Sequence, residues 1–301
     1  MRATKPCMGR LVATAALAGA CAAHGCEPRA SEGAAVAGTA ATGGGPRAEG
    51  DLPAPPREGE GFTKAPAAVV PGIPPPPPPL SADAPTVALP VPGRAAAVVA
   101  APIGATERKP VLVATHGRDD VPEQLCDTWR GIIGSRGFVL CPRGVPSRSR
   151  SGAFTYTSPE ALGDEIDDAL SALRARWPDH VDEGPVVYSG FSLGSFQGVR
   201  VVTRAPERTP RVILIEGGHD PWTDDLIETF ADGGGQRVLF VTGQAVNAQR
   251  AKLVARELSE AGIATRVVHA EDAGHVYTGE VRDNLASSFD WVVEGDDRWS
   301  R

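Results

Sequence analysis

The sequence predicts an α/β fold with a mainly parallel sheet and helices on both of its faces. From about residue 86, short apolar runs alternate with segments of helical periodicity, the pattern of strand–helix–strand crossover units. These runs, such as Val111–Thr115, are continuously apolar, as is typical of strands covered on both faces. A third observation is the β-branched run that leads directly into a glycine-flanked serine at Ser192.

The elements follow in order along the chain. Pro92-Gly93 separates two apolar runs that we expect to form a hairpin, Val87–Val91 and Ala96–Ala101. Further strands are predicted at 111–115, 138–141, 186–188, 212–215, 238–241 and 265–268. Helices are predicted at 122–135, 158–177, 193–205, 224–230, 248–261 and 279–293. Ser158 is an expected N-cap, and Gly262 an expected C-terminal glycine of its helix.

The segment Gly190-Phe191-Ser192-Leu193-Gly194 fits the G-x-S-x-G pattern. In such a nucleophile elbow the serine lies on a sharp strand-to-helix bend and projects its hydroxyl group. A side chain at either glycine would crowd the bend. We also expect both positions to have backbone angles that only glycine accepts at low cost. The alternative is that Ser192 is an ordinary helix N-cap.

Composition narrows the classes of function. The chain has 301 residues and a formal net charge of -7, which argues against a nucleic-acid partner. It lacks an apolar stretch long enough to predict a membrane-spanning helix. It also lacks a C-x-x-C pair, an H-E-x-x-H motif and a P-loop lysine, so we expect no metal and no nucleotide cofactor.

Residues 1–20 read as a secretory signal, with basic residues before a short apolar segment and the small-residue cleavage site Ala18-Gly19-Ala20. The stretch Leu17–Cys21 resembles a bacterial lipobox, which implies that Cys21 is lipidated and becomes the mature N-terminus. Cleavage and release is the alternative. We expect an exported protein, periplasmic or at the cell surface, that meets a membrane only through this anchor.

Residues 21–85 are rich in Ala, Gly, Pro and Glu and include six consecutive prolines, Pro74–Pro79. Such a segment buries too little apolar surface to offset its chain entropy, so a disordered tether is expected. The folded domain is predicted to be 86–301.

Two of the five cysteines, Cys126 and Cys141, fall in the predicted domain. Because a helix runs antiparallel to the strand that follows it, both residues are expected near one edge of the sheet. A disulfide between them is possible in an exported protein. The alternative is two separate buried thiols.

In an open parallel sheet, ligands bind at the carboxyl ends of the strands. Three features stand there in order: His116-Gly117 after an early strand, the elbow at Ser192, and Gly274-His275 after the last strand. With these features the chain resembles the α/β-hydrolase family, in particular its serine esterases and dienelactone hydrolases, over nearly all of 86–301.

The resemblance implies that Ser192 is the nucleophile and His275 its general base. It also implies an oxyanion hole made by the backbone N–H groups of Leu193 and of Gly117 or Arg118. His116 is expected to be structural. Two arginines lie in the loops after two early strands, Arg118 and Arg143. They either bind an anionic group in the pocket or are solvated surface charges.

In this family an acidic residue usually completes a catalytic triad with the serine and the histidine, and here this chain departs from the family. The usual acid position, in the loop after the strand at 238–241, holds Val246 and Asn247, which carry no charge. A minority of the family places the acid after the preceding strand, where this chain has Glu216. Glu216 is our prediction, with a cap of the Gly217-Gly218 backbone as its structural alternative. Asp220, Glu271, Asp272 and the absence of any acid remain open.

These features predict an exported serine hydrolase that cleaves carboxylic esters. The short segment between Ile215 and Val238 leaves no room for a large cap domain, so we expect an open site suited to small soluble esters or exposed chain ends. One alternative is a peptidase of the prolyl-oligopeptidase type, which the lack of a second domain disfavours. Another is a non-catalytic hydrolase-fold lipoprotein that acts as a binding module, favoured by the missing acid.

Overall fold

The structure is a computed structural model that describes residues 76–300. The predicted signal, the Cys21 anchor and most of the predicted tether lie outside the described residues. The strands are β1 Thr86–Leu89, β2 Ala97–Ala100, β3 Val111–Thr115, β4 Phe138–Cys141, β5 Val145–Pro146, β6 Phe154–Thr155, β7 Val187–Phe191, β8 Arg211–Ile215, β9 Arg237–Thr242 and β10 Ala264–His269. The helices are α1 Pro122–Ile133, α2 Pro159–Arg176, α3 Leu193–Val202, α4 Asp224–Asp232, α5 Ala245–Glu260 and α6 Glu280–Val292.

Eight of these strands form one sheet in the order β1-β2-β4-β3-β7-β8-β9-β10. The β1–β2 hairpin is antiparallel, as predicted, and β2 is antiparallel to β4. All other pairs are parallel. Gly190 of β7 is level with Thr115 of β3 and Leu214 of β8, so the carboxyl ends of these three strands lie side by side at the centre of the sheet.

Apolar side chains cover the sheet on both faces, which explains the continuous apolar strands. One face packs against α2, α3, α4 and α5, through residues such as Leu170, Val199 and Phe230. The other packs against α1 and α6, through residues such as Trp129 and Phe289. Between β8 and β9 the chain forms only α4 and its loops, so no cap is inserted there. The predicted architecture is confirmed.

Two features of the domain differ from the sequence prediction. The short β5–β6 hairpin was not predicted, because strands of two residues carry no periodicity. The packed chain also begins before residue 86. Leu80 is buried and exchanges backbone hydrogen bonds with Gly104 and Ala105, and His180 Nε2 donates to the Pro78 carbonyl. An apolar side chain directly after the prolines therefore joins the core.

In the part of the chain that the structure describes, no helix is both long enough and apolar enough to cross a bilayer.

The possible disulfide is not formed. Cys126 and Cys141 lie on the same face of the sheet, but both are free thiols with no exposed surface. The Cys126 thiol contacts the carbonyl oxygens of Val98 and Val139 at 3.7 Å, and burial raises the pKa of Cys141 well above its usual value. Both residues therefore pack as small apolar groups, as unreactive thiols do.

When the protein is denatured in the presence of iodoacetamide and without a reductant, both Cys126 and Cys141 should be alkylated, because neither is cross-linked. Peptide mapping by mass spectrometry measures this directly. A disulfide-linked pair of peptides that contain these cysteines would contradict the structure.

Candidate active site

A single residue makes the bend between β7 and α3. Phe191 ends the strand and Leu193 begins the helix, so Ser192 takes the turn with φ 52° and ψ -109°. This left-handed conformation costs a non-glycine residue about 1–3 kcal/mol and persists only where its surroundings enforce it. Here the Ser192 N–H donates to the carbonyl of Ile215 on β8 at 2.9 Å, and the Ser192 carbonyl accepts from the N–H of Phe196 at 2.9 Å.

The two glycines of the motif are required by close packing. A Cβ atom at Gly190 would lie 2.6 Å from the carbonyl carbon of Gly194, and one at Gly194 would lie 2.8 Å from the carbonyl oxygen of His116. The predicted crowding is thus confirmed. The expectation about backbone angles is wrong, because the positive φ belongs to Ser192 and neither glycine has one.

Two buried hydroxyl groups hold the bend in place. Ser195 Oγ accepts from the N–H of Ile215 at 3.0 Å and lies within hydrogen-bond distance of the carbonyls of Gly190 and Ile215, at 2.5 and 2.9 Å. Tyr188 Oη donates to the carbonyl of Gly194 at 2.7 Å. The first turn of α3 is therefore tied to β7 and to β8, and Ser192 is held between these ties.

His275 reaches Ser192 from the loop between β10 and α6. Its Nε2 lies 2.9 Å from Ser192 Oγ. The imidazole packs on Phe191, with ring centroids 5.1 Å apart, and Phe191 packs edge-on against Tyr277. With 44% of its side chain exposed, His275 is open to a molecule that approaches Ser192.

Glu216 lies behind His275, with Oε2 3.3 Å from His275 Nδ1. Its other oxygen, Oε1, accepts the backbone N–H groups of Gly243 and Gln244, and Oε2 also accepts from Asn247 Nδ2 at 2.9 Å. Burial acts to raise the pKa of Glu216, but the hydrogen bonds from His275, Gly243 and Asn247 outweigh it and hold the pKa below its ordinary value. Glu216 is thus ionised near neutral pH.

Glu216 also caps backbone, but at a different place from the one expected. The structural alternative assigned its carboxylate to Gly217-Gly218, which directly follow it. The backbone groups that it binds belong instead to Gly243 and Gln244, at the end of the neighbouring strand β9.

The other candidate carboxylates pair with another side chain or face solvent. Asp220 is half-exposed and pairs with Arg250 at 3.4 Å. Glu271 and Asp272 are exposed, and in the described part of the chain neither forms a hydrogen bond with His275. Of the carboxylates left open by the sequence, the glutamate after β8 is the one that the structure brings to the imidazole.

The two predicted oxyanion-hole segments flank Ser192. Leu193 is the first residue of α3, so its N–H has no partner within the helix. On the other side, a Cβ atom at Gly117 would lie 3.4 Å from Ser192 Cβ, which places the segment after β3 directly against the serine. Arg118 follows with an exposed side chain and could contribute to the hole through its backbone.

His116 is structural, as predicted. Its ring is buried, with Nδ1 2.8 Å from the carbonyl of Gly117 and Nε2 2.9 Å from that of Arg143. It also packs on the ring of Tyr156, at a centroid distance of 4.6 Å. These contacts fix the loop that carries Gly117.

The two arginines considered for anion binding are placed differently. The Arg143 guanidinium donates to Glu123 Oε1 at 2.5 Å and to the carbonyl of Ala96 at 2.7 Å, so its hydrogen bonds serve the fold. Arg118 is a solvated charge on the surface.

Ser192 is partly exposed, and His275 beside it is exposed. A cleft of about 500 Å³ lies between α2 and α3, but its lining includes Val186 and Thr209, which precede β7 and β8. It therefore opens at the amino ends of the strands, at the opposite edge of the sheet from Ser192. Among residues 76–300, no group of three or more His, Cys, Asp or Glu side chains is arranged to hold a metal ion.

Sequence reasoning missed several residues of the site. Ser195 and Tyr188 lie within four residues of Ser192, and their roles depend on hydrogen bonds with Ile215 of β8 and with Thr115 of β3 and Gly194 of α3. Asn247 was noted only as an uncharged residue at the usual acid position, whereas it binds Glu216.

Comparison with known proteins finds similarity in structure but not in sequence. No family model matches the sequence, and no curated protein matches it. The structure is similar to that of TT1662 from Thermus thermophilus, with a TM-score of 0.52, 18% identity, and coverage of 70% of this chain and 98% of that one. It is also similar to an uncharacterized protein from Bacillus cereus, with a TM-score of 0.52, 14% identity, and coverage of 63% and 61%.

A further similar structure is that of DcsB in complex with its substrate analogue, with a TM-score of 0.50, 11% identity, and coverage of 69% of this chain and 98% of that one. Likeness at such identities concerns the fold alone. Together with the strand order and the layers of helices, it decides the architecture. The chain has the α/β-hydrolase fold. In this fold Ser192 follows β7, Glu216 follows β8 and His275 follows β10.

Replacing Gly194 with alanine should destabilise the protein by about 2–4 kcal/mol, because the new methyl group would meet backbone rather than a flexible side chain. Gly131→Ala is the matched control. Gly131 lies in α1, where a Cβ would meet only the end of the Arg282 side chain, at 3.1 Å. This control should be neutral or stabilising by up to about 1 kcal/mol. Thermal unfolding of both variants measures the difference, and equal melting temperatures would contradict the packing argument.

Proposed function

We propose that this chain is a serine hydrolase that cleaves carboxylic esters through an acyl-enzyme on Ser192. The observation that carries the proposal is the continuous chain of side chains from Ser192 Oγ through His275 to Glu216, with links of 2.9 and 3.3 Å. A serine hydroxyl is a poor nucleophile until a neighbouring base takes its proton. The strained bend at Ser192 and the buried carboxylate of Glu216 lower the stability of the fold, and a catalytic role would explain why both are present.

The geometry supports a two-step reaction. His275 Nε2 takes the proton of Ser192 as Oγ attacks the ester carbonyl, and Glu216 stabilises the imidazolium that forms. The N–H of Leu193, with that of Gly117 or Arg118, stabilises the tetrahedral oxyanion. His275 then gives its proton to the leaving alcohol. Water attacks the acyl-enzyme with His275 again as base, which releases the acid and restores the Ser192 hydroxyl.

The exposure of Ser192 and His275 favours small soluble esters or exposed chain ends. The chain between β8 and β9 provides only the short helix α4, and the described cleft of about 500 Å³ lies at the other edge of the sheet. Export and lipid anchoring at Cys21 stay predictions from the first residues of the sequence.

The alternatives have less support than the ester hydrolase. The non-catalytic binding module was favoured by the missing acid after β9, and Glu216 now stands beside His275 from the end of β8. The peptidase of the prolyl-oligopeptidase type would need a second domain, and residues 76–300 include none.

Hydrolysis of p-nitrophenyl acetate tests the proposal. Turnover should fall to background in Ser192→Ala, and kcat should fall by about 10⁴-fold in Glu216→Gln, because the imidazole then loses its orienting charge. Asp220→Asn is the matched control, since Asp220 is another carboxylate in the segment after β8 and pairs with Arg250 instead of His275. Its kcat should stay within about twofold of the native value. Turnover that survives in Ser192→Ala, or a larger loss in Asp220→Asn than in Glu216→Gln, would overturn the assignment.

A further inference from the structure

Asn247 is one of the residues that donate hydrogen bonds to the Glu216 carboxylate. It is the third residue of α5, and its side chain is half-buried. Its Nδ2 donates to Glu216 Oε2 at 2.9 Å and to Gln244 Oε1 at 3.1 Å. Both partners are oxygen atoms that accept, so the amide must present its NH₂ group to them, and an ionised aspartate in the same place could not donate.

The oxygen that Asn247 binds is the one that faces His275. Glu216 Oε2 lies 2.9 Å from Asn247 Nδ2 and 3.3 Å from His275 Nδ1. The backbone of Gly243 and Gln244 binds the other oxygen. Three donors from the start of α5 and the turn before it therefore surround the carboxylate on the sides that His275 leaves open.

A glutamate needs such fixing more than an aspartate does. Its side chain has one more rotatable bond, and the terminal torsion of a carboxylate is broad. Donors on both oxygens restrict that torsion, and the Asn247 amide holds the oxygen that faces the imidazole in place. A charge-assisted hydrogen bond of this kind is among the stronger ones in proteins.

We propose that Asn247 is a positioning residue for the Glu216–His275 pair. The inference rests on the proposed function, since it concerns the same site. Asn247 does not touch the substrate, and it acts by holding the carboxylate in line with His275 Nδ1. The uncharged residue at the usual acid position is thus required by the acid at the end of β8, because a second carboxylate there would lie within hydrogen-bond distance of Glu216 and one of the two would have to protonate.

A double-mutant cycle on the full chain tests this role with p-nitrophenyl acetate. Asn247→Leu should lower kcat by about tenfold and leave KM nearly unchanged. In the Glu216→Gln background the same change should cost less than about twofold, because the group that Asn247 positions is gone. Gln249→Leu, on the exposed side of α5, is the control and should keep the native kcat in both backgrounds.

Asn247→Asp supplies a second, nearly isosteric test that guards against a packing defect. At low pH the introduced carboxyl group and that of Glu216 share a proton, so one of them can still donate a hydrogen bond. At high pH both are ionised and repel each other. The kcat of Asn247→Asp relative to the native enzyme should therefore fall as pH rises, while the ratio for Asn247→Leu stays flat.

The outcomes separate the inference from the proposed function. Equal losses from Asn247→Leu in the native and Glu216→Gln backgrounds would show a merely structural role and overturn the inference alone. So would an Asn247→Asp variant with native kcat at every pH. A native chain that fails to hydrolyse the ester refutes the proposed function, and the inference with it.

Discussion

Direct packing of the Gly190 backbone against that of Gly194 fixes where the Ser192 hydroxyl points. The distance of 2.6 Å from a Cβ at Gly190 to the Gly194 carbonyl carbon leaves no room for a side chain. Ser192 must then adopt its left-handed conformation, and its N–H meets the Ile215 carbonyl. The hydroxyl is thereby held at the carboxyl end of β7, where loops from other strands can reach it.

The position of the Glu216 carboxylate beside His275 follows from the same arrangement. β8 lies directly beside β7, so the residue after Ile215 is close to the bend. Glu216 enters with φ 52°, and its long side chain crosses to the turn after β9, where backbone N–H groups and Asn247 receive it. With the carboxylate at the end of β8, the segment after β9 supplies hydrogen-bond donors to it.

Much of this arrangement could be predicted from the sequence, because it is local or repetitive. Apolar runs and helical periodicity predict the layers, and the elbow and the Gly274-His275 pair mark the ends of two strands. The preference for Glu216 over Asp220, Glu271 and Asp272 came from the family resemblance alone, since the distances between loops that decide it cannot be read from the sequence. Packing also decides that Cys126 and Cys141 stay thiols and that Leu80 joins the core.

The most direct measurement is the site of covalent labelling by a fluorophosphonate, a reagent that reacts with serines activated by a neighbouring base. We expect a single modified residue, Ser192, identified by peptide mass spectrometry in the folded protein. We also expect labelling to be lost in His275→Ala, because the imidazole 2.9 Å away no longer takes the hydroxyl proton. Absence of labelling in the folded native protein, or labelling of Ser192 at an undiminished rate without His275, would contradict the proposed roles of both residues.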